Sequence, residues 1–505
     1  MTYHSNGALK TATDLRKHVW RRTPAGLVRD DAPGVPATEM RSADWDSATY
    51  NLDGSFREGV RRDRSAWIAE GGRVVEDLRL PSLRQNYAFN GIYGTGLLSS
   101  AADVDYLMLI LGQSIGRGNN NDGDAMPVTT VPPFPGFALM IGDSPWWATG
   151  KLSTHYSDLV EVKEPGTTTG AKETICSGMA CAMMPALAFR LGFMPRIIFA
   201  SVCLGGNAYY GGAGARNGMK RGSLIYGEVL NTVRAAVAIS RRAGRRLIVP
   251  AALPVHGEQD FAIGTSERLY GRGMDQWTFD INADIRAITG QTDPVRMYFS
   301  QVNRGSNTAG VTNQIAQAQL MAERNPLIRN LGSYYALDHA YGDGSHPDAI
   351  GYFHKGLHHG VHIVNDLFGA YDQCLSIVDV YWATTSSIDL VFSEPIDIEA
   401  NDDRVNISNL GPGLGIDYTD RSNSASVTGI TRQGSNIVRV ALSGAPTGTR
   451  RRLFIASRTT GDGGMGRLTG ARSGIRSFDP VILSPTDSFP IYRWAPTQTI
   501  NLPAF

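Results

Sequence analysis

The sequence predicts an α/β protein. A doubly wound parallel sheet is expected over residues 96–370, with an N-terminal arm or docking segment over 1–95 and a β-sandwich over 371–505. Three observations carry this reading. Between 96 and 370, short apolar runs alternate with longer segments of helical period, the pattern of strand–helix–strand crossovers. After 371 the chain becomes short β-rich runs separated by Gly, Ser, Asn and Pro, as in an antiparallel sandwich. Before 96 it is rich in Arg, Asp, Gly and Pro with weak periodicity of either kind, and gives no fold. A length of 505 residues accommodates two or three such domains.

The first strand is expected at 104–111, an apolar run that stops at Gly112-Gln113-Ser114. A helix over 173–191 leads to a strand at 196–203, and a helix over 224–242 to a strand at 246–254. A further helix over 266–289 leads to a strand at 295–302, and a helix over 314–322 completes the repeat. The last helix is placed from Pro347, because a first-turn proline gives up no intrahelical hydrogen bond. In the third region strands are expected at 387–392, 436–442 and 452–456.

Charge excludes some functions. The 48 Lys and Arg against 47 Asp and Glu leave a net charge of +1, with no field to recruit nucleic acid or an anionic membrane. The apolar runs are far shorter than the ~20 residues that span a bilayer. Residues 1–7 lack a basic start followed by an apolar core, so no secretory signal is visible. The expectation is cytoplasmic synthesis, with release by lysis or on an assembled particle. Cys176, Cys181, Cys203 and Cys374 show neither a C-x-x-C pair nor zinc spacing and read as reduced core thiols.

A strand ending in Gly-x-Ser presents a hydroxyl at the carboxyl edge of a sheet, where ligands of such folds collect. Of the ten histidines only His346 stands in an Asp-x-x-His frame, with Asp343. Ser114, His346 and Asp343 supply nucleophile, base and orienter for acyl transfer. Gly205, Gly206 and Asn207 follow one expected strand, and His256 and Gln259 another. The small residues admit backbone N–H donors to an oxyanion, and Asn207, His256 or Gln259 could add a side-chain donor.

Other constellations rank lower. Gly142-Asp143-Ser144 offers a second serine, but Pro145-Trp146-Trp147 follows rather than a helix. His354, His358 and His362 share one helix face, yet Lys355 stands where H-E-x-x-H has its glutamate, so they read as packed polar positions rather than zinc ligands. Asp338 and His339 are adjacent and point apart in an extended segment. Tyr209-Tyr210 and Trp146-Trp147 suit sugar stacking and core packing equally.

In these blocks the chain resembles the SGNH (GDSL-like) hydrolase superfamily, in its sialate O-acetylesterase and acetylxylan esterase-like branch. That branch has Gly-Gln-Ser, here Gly112-Gln113-Ser114, then a Gly-Gly turn, here Gly205-Gly206. A Gln-Gly-Glu-x-Asp/Asn block follows, matched by Gly257-Glu258-Gln259-Asp260, and finally Asp-x-x-His, matched by Asp343 and His346. Residues 138–140 and 173–180 look like its spacer motifs, and the resemblance spans about 100–365. One departure is His256, which stands where the branch usually has Gln.

The resemblance implies a flavodoxin-like sheet and a serine esterase that removes O-acetyl groups from a glycan. It implies an acetylated polysaccharide as partner and no metal or organic cofactor. The arm, the appended β region and the closing stretch 489–494 look similar to virion-borne proteins such as phage tail fibres. Virion components or a second copy of the chain are the macromolecular partners this implies. The alternative reading is a glycan-binding or structural virion protein that has lost activity.

Overall fold

The computed structural model describes residues 103–505 apart from 119–126, 143–144, 148–157, 165–172, 212–217, 306–309, 338–345, 368–373, 461–464 and 504–505, together with eight strands ahead of them. The chain divides into two compact units, one of Met1–Ile92 with Arg324–Pro326 and one of Tyr93–Glu323 with Leu327–Phe505.

The first unit contains β1 (Thr2–Tyr3), β2 (Leu9–Thr13), β3 (Val19–Thr23), β4 (Gly26–Arg29), β5 (Trp45–Tyr50), β6 (Phe56–Arg61), β7 (Ala66–Glu70) and β8 (Arg73–Glu76). They pair in chain order as two four-stranded antiparallel meanders. Sequence periodicity missed them because strands such as Phe-Arg-Glu-Gly-Val-Arg carry charge without strict alternation.

In the second unit β9 (Val104–Gly112), β10 (Ala138–Ile141), β11 (Trp146–Trp147), β12 (Leu159–Glu161), β13 (Arg196–Cys203), β14 (Arg246–Val255), β15 (Arg296–Phe299) and β16 (Ile328–Asn330) form one sheet. Its order is β12-β10-β13-β9-β14-β15-β16, with β11 also on β13. Every pairing is parallel except β12 on β10, so the sheet is mixed. β9 is central and wholly buried. Its side chains alternate between two cores: Leu107, Leu109 and Leu111 enter one, Tyr106, Met108 and Ile110 the other. Asp105 is tolerated in this strand because Arg245, Arg196 and the Ser240 hydroxyl neutralise and satisfy it.

The helices are α1 (Ser114–Arg117), α2 (Ile175–Leu191), α3 (Leu224–Arg242), α4 (Glu258–Ala262), α5 (Glu267–Thr289), α6 (Gln314–Met321), α7 (Ala349–Leu367) and α8 (Gly466–Thr469). Thr174, Ser223, Ser266 and Asn313 cap α2, α3, α5 and α6 through their side chains. α3 and α5 supply Val233, Trp277 and Ile281 to the first core; α2 and α7 supply Met179, Met183 and Ile363 to the second. α2 and α7 touch backbone to backbone at Gly178 and Gly356, where an added Cβ would lie 2.1 Å from Phe353 O and 2.3 Å from Ile175 O. α7 starts at Ala349 rather than at Pro347: the Asp348 carboxylate accepts from the Gly351 N–H at 2.7 Å and sets the boundary. Among the described residues no helix is long and apolar enough to cross a membrane.

The C-terminal region is β-rich. β17 (Ile377–Thr384), β18 (Ser387–Phe392), β19 (Ile396–Ile398), β20 (Ile416–Thr419), β21 (Val427–Arg432), β22 (Ile437–Leu442), β23 (Arg452–Ile455), β24 (Ile475–Ser477), β25 (Ile482–Leu483), β26 (Pro490–Ile491) and β27 (Gln498–Asn501) pair antiparallel. They make the small sheets β17-β18-β22-β21, β20-β23-β27, β19-β24 and β25-β26. This region shares a core with the α/β region: Tyr335 and Ala336 pack with Ile388, Leu390 and Trp494. The buried Gln301 side chain donates to Thr497 O and accepts from Thr497 N–H.

Candidate active site

The site grows from three strand ends in register. Gly112, Cys203 and Val255 lie side by side at the carboxyl edge of β9, β13 and β14. Gly112 must be glycine, with φ at 137° and a would-be Cβ 2.0 Å from Val255 O. The chain leaves β9 through Gln113, whose N–H donates to Val255 O at 3.1 Å, and turns into α1 at Ser114. Ser114 is half-buried while Ile115 and Gly116 behind it are buried, so the turn is anchored beneath the serine. The Ser201 hydroxyl donates to Gly116 O at 2.6 Å and fixes α1 from the neighbouring strand.

The turn after β13 lies against this serine. The Cβ position of Gly205 is 3.5 Å from Ser114 Cβ, and Gly206 takes a left-handed φ of 70°. Asn207 is buried; its Nδ2 donates weakly to Leu204 O at 3.3 Å, and its Oδ1 has no hydrogen-bond partner among the described residues. A buried amide with unused capacity is destabilising by about 1–3 kcal/mol, the kind of feature found where a ligand completes the set.

The turn after β14 braces rather than reaches in. His256 Nε2 donates to Asn207 O at 3.0 Å, and Nδ1 lies 3.0 Å from the Tyr270 hydroxyl. Its ring lies parallel to Tyr270 and edge-on to Trp277. With both nitrogens occupied, His256 offers no spare ring N–H in this arrangement. Asp260 accepts from the Tyr209 N–H at 2.9 Å and the Thr265 hydroxyl at 2.9 Å, tying the Gly-Gly turn to α4. Gln259 is half-buried, and its N–H points to Gln113 Oε1 at 3.4 Å.

Gln113 and Glu258 belong to the same arrangement, and sequence alone assigned them no role. Gln113 Nε2 donates to Glu258 Oε2 at 2.5 Å, and the Tyr334 hydroxyl donates to Glu258 Oε1 at 3.1 Å. The residue before the serine is thereby locked to the start of α4. The available signal was an acidic residue directly after a strand-end glycine.

His346 is half-buried, immediately ahead of Pro347 and α7. Asp343 lies outside the described residues, as do the alternative Ser144 and the Asp338-His339 pair. The structure thus brings Ser114, Gly205, Gln113, Glu258 and Gln259 together, and places His256 behind them. Tyr209 is core, packed against Trp277, whereas Tyr210 is exposed. Of the α7 histidines, His354 faces Asp487 at 3.1 Å and His358 lies 3.1 Å from His362. No cluster of metal-ligating side chains occurs among the described residues.

A pair of buried acids flanks the Ser114 turn. Glu173 O and Thr174 crowd Gly118, at the end of α1. Glu164 and Glu173 are both buried; burial pushes Glu164 up to about 7, and burial with the adjacent Glu164 carboxyl pushes Glu173 up as well. Ser177 and Thr174 donate to Glu164, and the Val128 and Thr129 N–H groups to Glu173.

No family model matches the chain, and no curated protein matches it. Solved structures that resemble it in part include a protein from Arabidopsis thaliana, with TM-score 0.37, 17% identity, 53% of this chain and 99% of that one. NanS aligns with TM-score 0.30 and 15% identity over 40% of this chain and 68% of its own. The tail fiber protein gp63.1 from an E. coli phage aligns with TM-score 0.27 and 10% identity over 86% of this chain and 64% of its own.

Proposed function

We propose that the chain is a serine esterase of SGNH type that removes O-acetyl groups from a glycan. Ser114 Oγ attacks the acetyl carbonyl as His346 takes its proton, and Asp343 orients His346 and stabilises the imidazolium. The carbonyl π electrons move onto oxygen, and the N–H groups of Ser114 and Gly205 or Gly206, with the Asn207 Nδ2 N–H, donate hydrogen bonds to that oxyanion. The tetrahedral centre collapses, the sugar alkoxide leaves with the proton from His346, and acetyl remains on Ser114. Water, deprotonated by His346, then releases acetate by the same route.

The observation that carries this reading is the Ser114 turn. A serine stands at the carboxyl end of the central strand, with the Gly205 backbone against it and Gln113 locked to Glu258. Leaving aside β10 and β11, which also run parallel beyond β13, the stretch β13-β9-β14-β15-β16 follows the 2-1-3-4-5 order of flavodoxin-like sheets, whose switch point would fall between β9 and β14. The β-rich regions on either side suit a virion-borne setting such as a tail fibre.

The test is acetate release from a panel of acetylated polysaccharides, with peptide mapping of a serine-directed phosphonate. We expect release by the wild type, the adduct on Ser114, and no turnover by a Ser114→Ala variant of unchanged melting temperature. An adduct on Ser144, or retained turnover in the variant, would overturn the assignment. Glycan binding without release by the wild type would favour the inactive binding-protein reading.

A further inference from the structure

Resting on the esterase reading, we propose that Lys355 and Glu258 are positioning residues for the nucleophile. The buried Lys355 ammonium, acting through the Tyr334 ring and the Glu258 carboxylate, holds Gln113, and with it Ser114, in the reacting conformation.

Lys355 lies on α7 with no exposed surface, and among the described residues its Nζ makes no hydrogen bond. It sits 3.5 Å from the centroid of the Tyr334 ring. Lysine is seldom buried without a hydrogen-bonded partner, because a desolvated ammonium is strongly unfavourable. Here the compensation is indirect: the ring face attracts the cation, and the Glu258 carboxylate attracts it across the ring. A cation over the ring draws electron density from the phenol and makes its O–H a better donor to Glu258. Glu258 in turn accepts from Gln113, whose other side-chain atom meets the Gln259 N–H. Gln113 precedes Ser114 and occupies the N-cap position of α1. The contacts that begin at Lys355 therefore end one peptide unit from the nucleophile. Without the cation, Glu258 becomes a buried anion held only by two neutral donors, Gln113 and Tyr334, and its hold on Gln113 is less fixed.

The arrangement is pH-sensitive in a definite direction. Burial pushes Lys355 down to about 7, against the attraction of Glu258. The groups facing it are Glu258 from α4, Cys203 from β13, Tyr334 from the segment after β16 and His359 from its own helix. Burial pushes Cys203 up to about 12 and Tyr334 upward, and burial with His358 pushes His359 well down, so these three stay neutral near pH 7. Lys355 loses its charge as pH rises through about 7, and turnover falls with it.

The experiment uses the full chain as wild type, Lys355→Met, Glu258→Gln and the double variant. The readouts are kcat and KM for p-nitrophenyl acetate across pH, phosphonate labelling rate at Ser114, and the titration of Lys355 Cε by NMR on 13C-lysine protein. In Lys355→Met we expect kcat and labelling to fall on the order of 10²-fold, as for a small misplacement of a reacting group, with KM nearly unchanged. The alkaline limb should disappear with the lysine, and Glu258→Gln should lower the Lys355 titration point further. If Lys355→Met does not fold, the double variant, which leaves neither charge buried, carries the same expectation. A folded variant with the wild-type kcat and alkaline limb overturns the proposal, as does a Lys355 Cε that titrates at the ordinary lysine value. An inert, unlabelled wild type instead overturns the esterase reading and the positioning role together, so the two failures are distinct.

Discussion

Helix α7 buries an anion near its end and a cation near its start, and the two are satisfied very differently. At the C-terminal end, Asp366 accepts from Arg296, from Arg329 Nε at 3.0 Å and from the Tyr298 hydroxyl at 2.7 Å. Burial alone would raise its carboxyl, but Arg329 and Arg296 outweigh burial and hold it below its ordinary value. Toward the N-terminal end Lys355 is equally buried, yet its Nζ has a ring face and, among the described residues, no hydrogen bond. The closed network joins α7 to β15 and β16, away from the proposed chemistry. The open one leads through Tyr334 and Glu258 to Gln113, the residue before Ser114. A complete network resists change, whereas an incomplete one leaves a group whose charge responds to pH and to its neighbours.

The comparison predicts opposite phenotypes, the largest at the closed network. Asp366→Asn leaves two buried guanidinium groups without their anion and should lower unfolding stability by about 3–5 kcal/mol. Urea denaturation measures it, and a loss no greater than that of Lys355→Met would break the contrast between the two ends. The melting temperature of Lys355→Met should fall less, while its kcat falls far more than that of Asp366→Asn assayed below its own unfolding transition.

The Glu164 and Glu173 pair extends the comparison to like charges. A carboxyl raised to about 7 in the folded chain contributes stability that is fully present below its ordinary 4.5. That contribution is lost as pH rises through about 7, because the unfolded chain then releases the proton more readily. The unfolding free energy measured by urea denaturation should therefore drop between about pH 5 and about pH 8, by an amount on the order of 1–3 kcal/mol. Glu164→Gln should flatten the slope; an unchanged slope would remove the pair as its source. The smallest effect belongs to His354 and Asp487 at the rim of α7, where Asp487 is more than a third exposed. Asp487→Asn should change stability by less than about 1 kcal/mol, and a larger loss would mean that solvent does not screen this pair.

Local signals carried much of the architecture. The apolar run 106–111 became the body of β9, and the strand at 196–203 and the helix at 224–242 fall where their periodicity puts them. In each case burial pattern and capping residue are written within a few neighbouring positions. The short strand Ile328–Asn330 and helix Glu258–Ala262 carry too few residues for a period to register. The start of α7 shifted because a carboxylate at Asp348 outweighs a proline as a boundary signal.

The site divides along the same line. Ser114 beside a Gly-Gly turn was legible, since a strand that ends in Gly-x-Ser and a second that ends in small residues must meet wherever the two strands are neighbours in a parallel sheet. The fate of His256 was not legible. Its position at a strand end is local, but the direction of its ring is set by Tyr270 and Trp277 from α5 and by Asn207 from another strand's turn. Still less so was the set Gln113, Glu258, Tyr334 and Lys355, whose members are dispersed along the chain. Sequence assigns a lysine to solvent by default, because exposure is its lowest free energy in isolation. Only the packing of α7 against the sheet removes that option, and places the ammonium over a ring whose hydroxyl reaches the carboxylate beside the proposed nucleophile.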